Sequence, residues 1–289
     1  MKNIKETIKE AEDKKIAVGH FNISDLAGLK AIFETARKLG LPVLIGTSEG
    51  EREFVGPRQA VALVESLREE YNWPVFLNAD HTHSLQKIKE AVEAGYDAVL
   101  FDGGKLPFEE NLRQTKEVVS YVRATRPEVT VEGELGYIGT SSAVFEKLPE
   151  GAAANEAQFT SVEEAKRFVE ETGVDFLAPA VGNVHGMFKN APNPRLDIDR
   201  IRAIKEAVGI PLVLHGGSGI VDEDFTAAVK AGISVVHINT EIRVAWRKGL
   251  EEALRAKPEE IAPYHLLPGS IEAMSEVIEK RLKLFSQMV

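Results

Sequence analysis

The chain has 289 residues and no cysteine, with 35 lysines and arginines set against 45 aspartates and glutamates, a net charge of −10. An acidic chain argues against a nucleic-acid binder, which needs clustered cations. The lack of cysteine removes disulfides, thiolate nucleophiles, iron–sulfur clusters and sulfur-bound zinc, so any transition metal must be held by histidine and carboxylate.

The start, MKNIKETIKEAEDKK, is charged and lacks the apolar core of a signal peptide, and no apolar run reaches the ~18 residues of a membrane span. A cytoplasmic protein without a membrane partner is therefore expected. Short apolar runs then follow at Ile16–Phe21, Pro42–Ile45, Pro74–Asn78, Ala98–Phe101, Val129–Val131, Phe176–Ala180, Pro211–Leu214 and Val235–Ile238. Each has the length of a strand buried on both faces. Between them, Leu26–Leu39, Gln59–Tyr71, Leu85–Ala94, Glu110–Ala124, Val162–Thr172, Ile198–Val208 and Glu223–Ala231 carry apolar residues at helical spacing. Gly40, Gly95 and Gly232 stop three of these helices. Past Glu241 come a last barrel helix, a loop holding Pro258, Pro263 and Pro268, and an appended helix from about Ile271 to Met288. The pattern predicts an α/β fold, a (β/α)8 barrel forming a single domain over residues 1–289 with an extra C-terminal helix. A doubly wound open sheet fits less well, because no GxGxxG follows the first strand.

In such barrels the chemistry sits where the βα loops converge, at the C-terminal ends of the strands. Six of the seven histidines fall there, and only His265 does not. His81, His185 and His215 end the third, sixth and seventh strands, with Asp102 and Glu132 able to approach from the fourth and fifth. Three histidines on one rim beside carboxylates read as a catalytic metal site more readily than as three separately hydrogen-bonded rings. Gly216, Gly217 and Ser218 after the seventh strand, with Asn239 and Thr240 after the eighth, occupy the usual phosphate site of this fold, and Lys189 offers a point charge nearby. Asp80, beside His81, reads as a general acid or base, or as a residue that orients a ligand histidine.

Taken in order, these residues resemble the class II, metal-dependent fructose-bisphosphate and tagatose-bisphosphate aldolases. The resemblance runs from Ala17-Val18-Gly19-His20-Phe21-Asn22 through Asn78-Ala79-Asp80-His81, Glu132-Gly133-Glu134-Leu135-Gly136, His185-Gly186-Met187-Phe188-Lys189 and His215-Gly216-Gly217-Ser218-Gly219 to Asn239-Thr240-Glu241. It implies Zn2+, a phosphosugar substrate with dihydroxyacetone phosphate as its nucleophilic half, and a homodimer or homotetramer. By the resemblance, His81, His185 and His215 are the zinc ligands, and Asp80 exchanges a proton with the aldehyde-derived hydroxyl. Asp102 and Glu132 lie near an alternative metal position. Gly186, Gly216, Gly217, Ser218, Asn239 and Thr240 form the ketone-phosphate pocket, and Ser48 stands on the aldehyde side.

Three positions depart from the family pattern. The family's mobile loop carries an acid that moves the proton at the nucleophilic carbon, whereas Gly139-Thr140-Ser141-Ser142-Ala143 has none and Glu146 is the nearest downstream acid. The family's asparagine beside the enediolate is His237 here, and Gly104 stands where serine is common. His83 reads as a supporting or loop histidine, with a spare ligand or proton carrier as the alternative. The expected activity is cleavage of fructose 1,6-bisphosphate. Cleavage of another ketose phosphate such as tagatose 1,6-bisphosphate, a metal-dependent epimerase on the same barrel, and a barrel that binds without turnover are the alternatives.

Overall fold

The computed structural model describes residues 2–139, 142–146, 158–190 and 193–288. Its strands are β1 (Val18–Asn22), β2 (Val43–Thr47), β3 (Val75–Thr82), β4 (Ala98–Phe101), β5 (Thr130–Leu135), β6 (Val144–Phe145), β7 (Phe176–Pro179), β8 (Met187–Phe188), β9 (Leu212–Leu214) and β10 (Ile233–Ile238). Eight of them close into a parallel barrel in the order β1-β10-β9-β7-β5-β4-β3-β2, while β6 and β8 pair with each other as a separate ladder. The helices are α1 (Ile4–Asp13), α2 (Leu26–Leu39), α3 (Glu49–Val55), α4 (Pro57–Tyr71), α5 (Leu85–Ala94), α6 (Phe108–Thr125), α7 (Val162–Thr172), α8 (Ile198–Val208), α9 (Asp222–Ala231), α10 (Thr240–Ala256) and α11 (Pro263–Phe285). The eight predicted strands all appear, and the seven predicted barrel helices match to within two residues at each end. No helix among the described residues is long and apolar enough to cross a membrane.

Alternation along the strands divides the barrel interior into layers. Near the strand starts, Val18, Leu44, Phe76, Ala98, Phe176, Val213 and Val235 form one apolar cluster. Two residues farther on, the same inward face presents His20, Asn78, His215 and His237, all buried. The lower layer is closed from below by α1, whose Ile4, Ile8 and Ala11 join that cluster at helical spacing. This helix is absent from the sequence reading above, although its start carries a capping box in which Asn3 accepts from the Glu6 N–H while Glu6 accepts from the Asn3 N–H.

Two strands run past their predicted ends because charged residues interrupt the apolar signal. β5 continues through Glu132 and Glu134, and β3 continues through Asp80 to Thr82. In β3 the register against β4 shifts between Ala79 and Thr82, and His81 adopts a φ of 38°. That bulge turns consecutive side chains Asp80 and His81 toward the same opening, where regular alternation would send them to opposite faces.

The appended helix begins at Pro263, not near Ile271, so Pro268 lies inside it. Pro268 removes one helical donor, leaving the carbonyl of Tyr264 in a turn that is open to water. The helix packs against α10, α2, α9 and β1. Its crossing with α10 is close: a Cβ added at Gly249 would lie 2.4 Å from the Gly269 carbonyl oxygen. Ser270 adds a hydrogen bond from Oγ to the Trp246 carbonyl (2.9 Å).

If α1 is part of the core, Ile8→Ala should cost about 2–5 kcal/mol in chemical denaturation. A loss below about 0.5 kcal/mol, the level of an ordinary surface substitution, would show that the barrel floor is closed without it.

Candidate active site

A cavity of about 300 Å³ opens at the C-terminal ends of the strands. The polar interior layer and the bulged end of β3 form its floor, and the first turns of α3 and α10 contribute to its walls.

Three imidazoles meet at the floor. His81 Nδ1 is 2.8 Å from Asp102 Oδ2, His185 Nδ1 is 2.7 Å from the Gly139 carbonyl, and His215 Nε2 is 2.7 Å from Glu132 Oε1. Each ring therefore has one nitrogen tied outward and turns the other inward. His81 Nε2 and His185 Nε2 are 3.1 Å apart, and His215 Nδ1 is buried without a partner. One ligand atom from each ring can lie within 4.8 Å of the others, so the trio can hold a metal ion. Outward anchoring of this kind is what fixes a ligand histidine's tautomer and orientation. His185 is pushed down to about 3 by burial and by the neighbouring His81 and His215, so it is neutral at physiological pH. Burial works against a charged His81, but Asp80, Asp102 and Glu134 outweigh it and raise the ring well above its ordinary value.

Beside them Asp80 is buried. Asn22 Nδ2 donates to its Oδ2 (2.8 Å), while Oδ1 has no partner and lies 3.5 Å from His237 Nδ1 and 3.8 Å from His81 Nε2. Burial disfavours this charge, yet His81 and then His237 hold the carboxyl well below the usual range. Its backbone is pinned by the buried Arg52 of α3, which donates to the carbonyls of Thr47 and Asp80 and to Thr82 Oγ1 (2.7 Å). Glu51 completes the brace, accepting from Asn22 Nδ2 (2.8 Å), from the backbone N–H and hydroxyl of Ser48, and from Arg243 Nη2 (2.6 Å).

His237 stacks on His20, its register partner on β1, with ring centroids 3.4 Å apart and planes 3° from parallel. His20, His237 and Asp80 are close enough together to suggest a second metal group. Ring lone pairs lie in the ring plane, however, so two parallel stacked rings cannot aim at one ion. His237 Nε2 is buried without a partner and the residue lines the cavity.

Among the described residues, all six buried side-chain polar atoms without a partner belong to this layer and its rim: His20 Nδ1, Asn78 Oδ1, Asp80 Oδ1, Glu134 Oε2, His215 Nδ1 and His237 Nε2. Buried polar groups are ordinarily satisfied, so this concentration marks a place built to receive a ligand.

Gly186, Gly216, Gly217, Ser218, Asn239 and Thr240 line the cavity, as does Ser48 after β2. Gly216 has a φ of 62°, and a Cβ there would lie 2.5 Å from the Val184 carbonyl oxygen, so only glycine fits.

Several sequence expectations are placed differently. Glu132 stands with His215 and His237, and it is Glu134 that faces His81 and Asp102, with Oε2 at 3.7 Å from His81 Nδ1. Both glutamates sit on the inward face of β5, two residues apart, and Glu134 is the one nearer the rim. Lys189 is exposed and does not line the cavity, because it follows the β6–β8 ladder, where its N–H bonds the Phe145 carbonyl (2.9 Å). Glu146 is likewise exposed and off the cavity wall, whereas Ser142 lines it; Thr140 and Ser141 lie outside the described residues. His83 lines the cavity with its side chain half exposed, and its Nδ1 is 3.3 Å from the Asp102 carbonyl. Glu134, Arg243, Glu51 and Arg52 were not singled out in the sequence. For Glu134 the signal was present, since a residue two before or after a buried polar position on a strand shares its face.

The sequence model of the family described as fructose-bisphosphate aldolase class-II matches residues 2–288. The chain is 37% identical over 281 residues to a 6-phospho-5-dehydro-2-deoxy-D-gluconate aldolase from Shouchella clausii, covering 96% of this chain and 92% of that one. It is 35% identical over 286 residues to a fructose-bisphosphate aldolase from Staphylococcus aureus, covering 98% and 96%. Among solved structures, the YdjI aldolase from Escherichia coli K12 superposes with a TM-score of 0.82 at 28% identity, covering 98% of this chain and 96% of that one. A barrel with this site and these relatives belongs to the class II fructose-bisphosphate aldolase family of carbon–carbon lyases.

Proposed function

We propose that the protein is a metal-dependent aldolase that reversibly cleaves fructose 1,6-bisphosphate to dihydroxyacetone phosphate and glyceraldehyde 3-phosphate, with Zn2+ held by His81, His185 and His215. The observation that carries this reading is the convergence of three outward-anchored imidazoles beside a buried carboxylate with one free oxygen. Bound there, a divalent ion supplies Lewis acidity, polarising the ketone oxygen and easing the negative charge left when the carbon–carbon bond breaks.

The chain's own groups position the substrate and move the hydroxyl proton, and the carbon left by the cleavage takes its proton from water entering the cavity. Asp80 accepts the proton of the hydroxyl that becomes the aldehyde and returns it in the condensation direction. Asn22 holds the other carboxylate oxygen, so Oδ1 is the one offered. The Gly216–Ser218 loop, Gly186, Asn239 and Thr240 receive the phosphate of the ketone half through backbone N–H groups and the start of α10. Ser48 and Arg243, joined through Glu51, face the aldehyde half. His237 directs an unpaired nitrogen at the substrate where the family has an amide. Asp102 orients His81, and with the nearby Glu134 it stands at the alternative metal position.

A second reading keeps the chemistry and changes the sugar. His237 alters the wall beside the reacting carbons, and one relative is named for a deoxygluconate phosphate. Another ketose phosphate, tagatose 1,6-bisphosphate among them, then becomes the substrate.

Chelation should abolish fructose 1,6-bisphosphate cleavage and added zinc should restore it; cleavage that survives complete metal removal would contradict the proposal. Asp80→Asn should retain the metal and lower kcat by about 10²–10⁴-fold. Loss of the metal in that variant would make Asp80 a support for the histidines instead. His237→Asn should change kcat or the preference among ketose phosphates while the unfolding midpoint stays in place, and an unchanged profile would show that this residue does not touch substrate.

A further inference from the structure

The appended helix α11 reaches the anion end of the cavity through one buried side chain. Arg281 is 7% exposed and stacks over Phe225 at 4.9 Å from the ring centroid. Its guanidinium binds Glu241 at two points, Nε to Oε2 (2.8 Å) and Nη2 to Oε1 (2.6 Å), and gives Nη1 to Asp222 Oδ1 (2.7 Å). Glu241 in turn accepts the Gly219 N–H on Oε1 (2.9 Å), and its own N–H is given to Ser218 Oγ (3.2 Å). The glycine-rich loop and the first turn of α10 are thus laced together at Glu241, and Glu241 is held by α11.

A carboxylate in this place is awkward. Glu241 lies in the first turn of α10, directly after the cavity-lining Thr240 and bonded to the Gly219 N–H, and a helix start of this kind favours an incoming anion. Unneutralised, its charge would oppose an anion seated at Ser218 and Thr240. The bidentate pair with Arg281 cancels it and fixes the carboxylate against the Gly219 N–H. Burial works against the guanidinium, and Glu241 and Asp222 outweigh it, so Arg281 stays charged.

We infer that Arg281 is a positioning residue of the phosphate site: through Glu241 it sets the geometry of the Gly216–Gly219 loop and neutralises a carboxylate that would otherwise repel a phosphate monoester. The inference rests on the assignment of the ketone-phosphate end made above, and it concerns a helix lying outside the barrel's eight strand–helix units.

The test uses full-length metal-loaded protein and inorganic phosphate, with binding read by calorimetry as well as by inhibition of cleavage. Arg281→Met should weaken phosphate binding about tenfold and raise KM more than it lowers kcat. The double variant Arg281→Met with Glu241→Gln should recover binding to within about threefold of the parent, because the opposing charge is gone. Arg281→Lys, which keeps the charge without the planar fork, should fall between and supplies the measurement if Arg281→Met does not fold. Phosphate affinity unchanged in Arg281→Met or Arg281→Lys, or a double variant no better than the single one, would overturn the inference. Phosphate that fails to bind the parent protein would overturn the assignment of the site itself.

Discussion

Closing a parallel barrel forces the inward residues of eight strands into stacked layers, and in this chain the upper layer is polar. Histidine rings and amides buried there cannot be satisfied by water, so each must find a partner or await a ligand. The rest of the site follows from how that demand is met. Asp102, Glu132 and the Gly139 carbonyl take one nitrogen from each of three rings, which leaves the other three nitrogens aimed at a common point. The unpartnered atoms left over gather at the same place, where the bulge in β3 also delivers Asp80.

Two buried arginines brace this arrangement from opposite sides. Arg52 ties the ends of β2 and β3 together beside Asp80, and Arg281 holds Glu241 of α10, which in turn takes the Gly219 N–H of the glycine-rich loop. Both spend their donors on carbonyls, hydroxyls or carboxylates of the scaffold, so their contribution is to fix the positions of the cavity-lining segments. The apolar lower layer and α1 supply the burial on which that precision stands, with Val18, Phe76 and Val213 on the same strand faces as His20, Asn78 and His215.

Much of this was legible in the sequence because parallel barrel strands are short, apolar and bounded, and their ends are where polar residues collect. The three histidines, Asp80 and the Gly216–Ser218 loop were found by position alone, and all line the cavity. What was missed has physical reasons. Apolar runs mark where a strand is buried among carbon, so β5 seemed to stop before Glu132 and the inward-facing Glu134 was passed over. α3 lies in a charged stretch without a long apolar stripe, yet its Glu51 and Arg52 are both buried, Glu51 against Asn22, Ser48 and Arg243 and Arg52 against the ends of β2 and β3. Arg243 depends on a contact with Glu51 that no local pattern announces. The helix α1 shows a capping box and an apolar stripe, and only its charge hid it; Pro268 hid the first two turns of α11 in the opposite way, by looking like a stop.

The central claim is that this polar layer is a metal site defined by three ring nitrogens. Anomalous X-ray diffraction from crystals of the zinc-loaded protein tests it directly. The account predicts a single ion per chain, bound through Nε2 of His81, Nε2 of His185 and Nδ1 of His215, with Asp80 beside it and unbound. An ion seated instead on Asp102 and Glu134 without His215, or between His20 and His237, or no ordered ion at all, would contradict it.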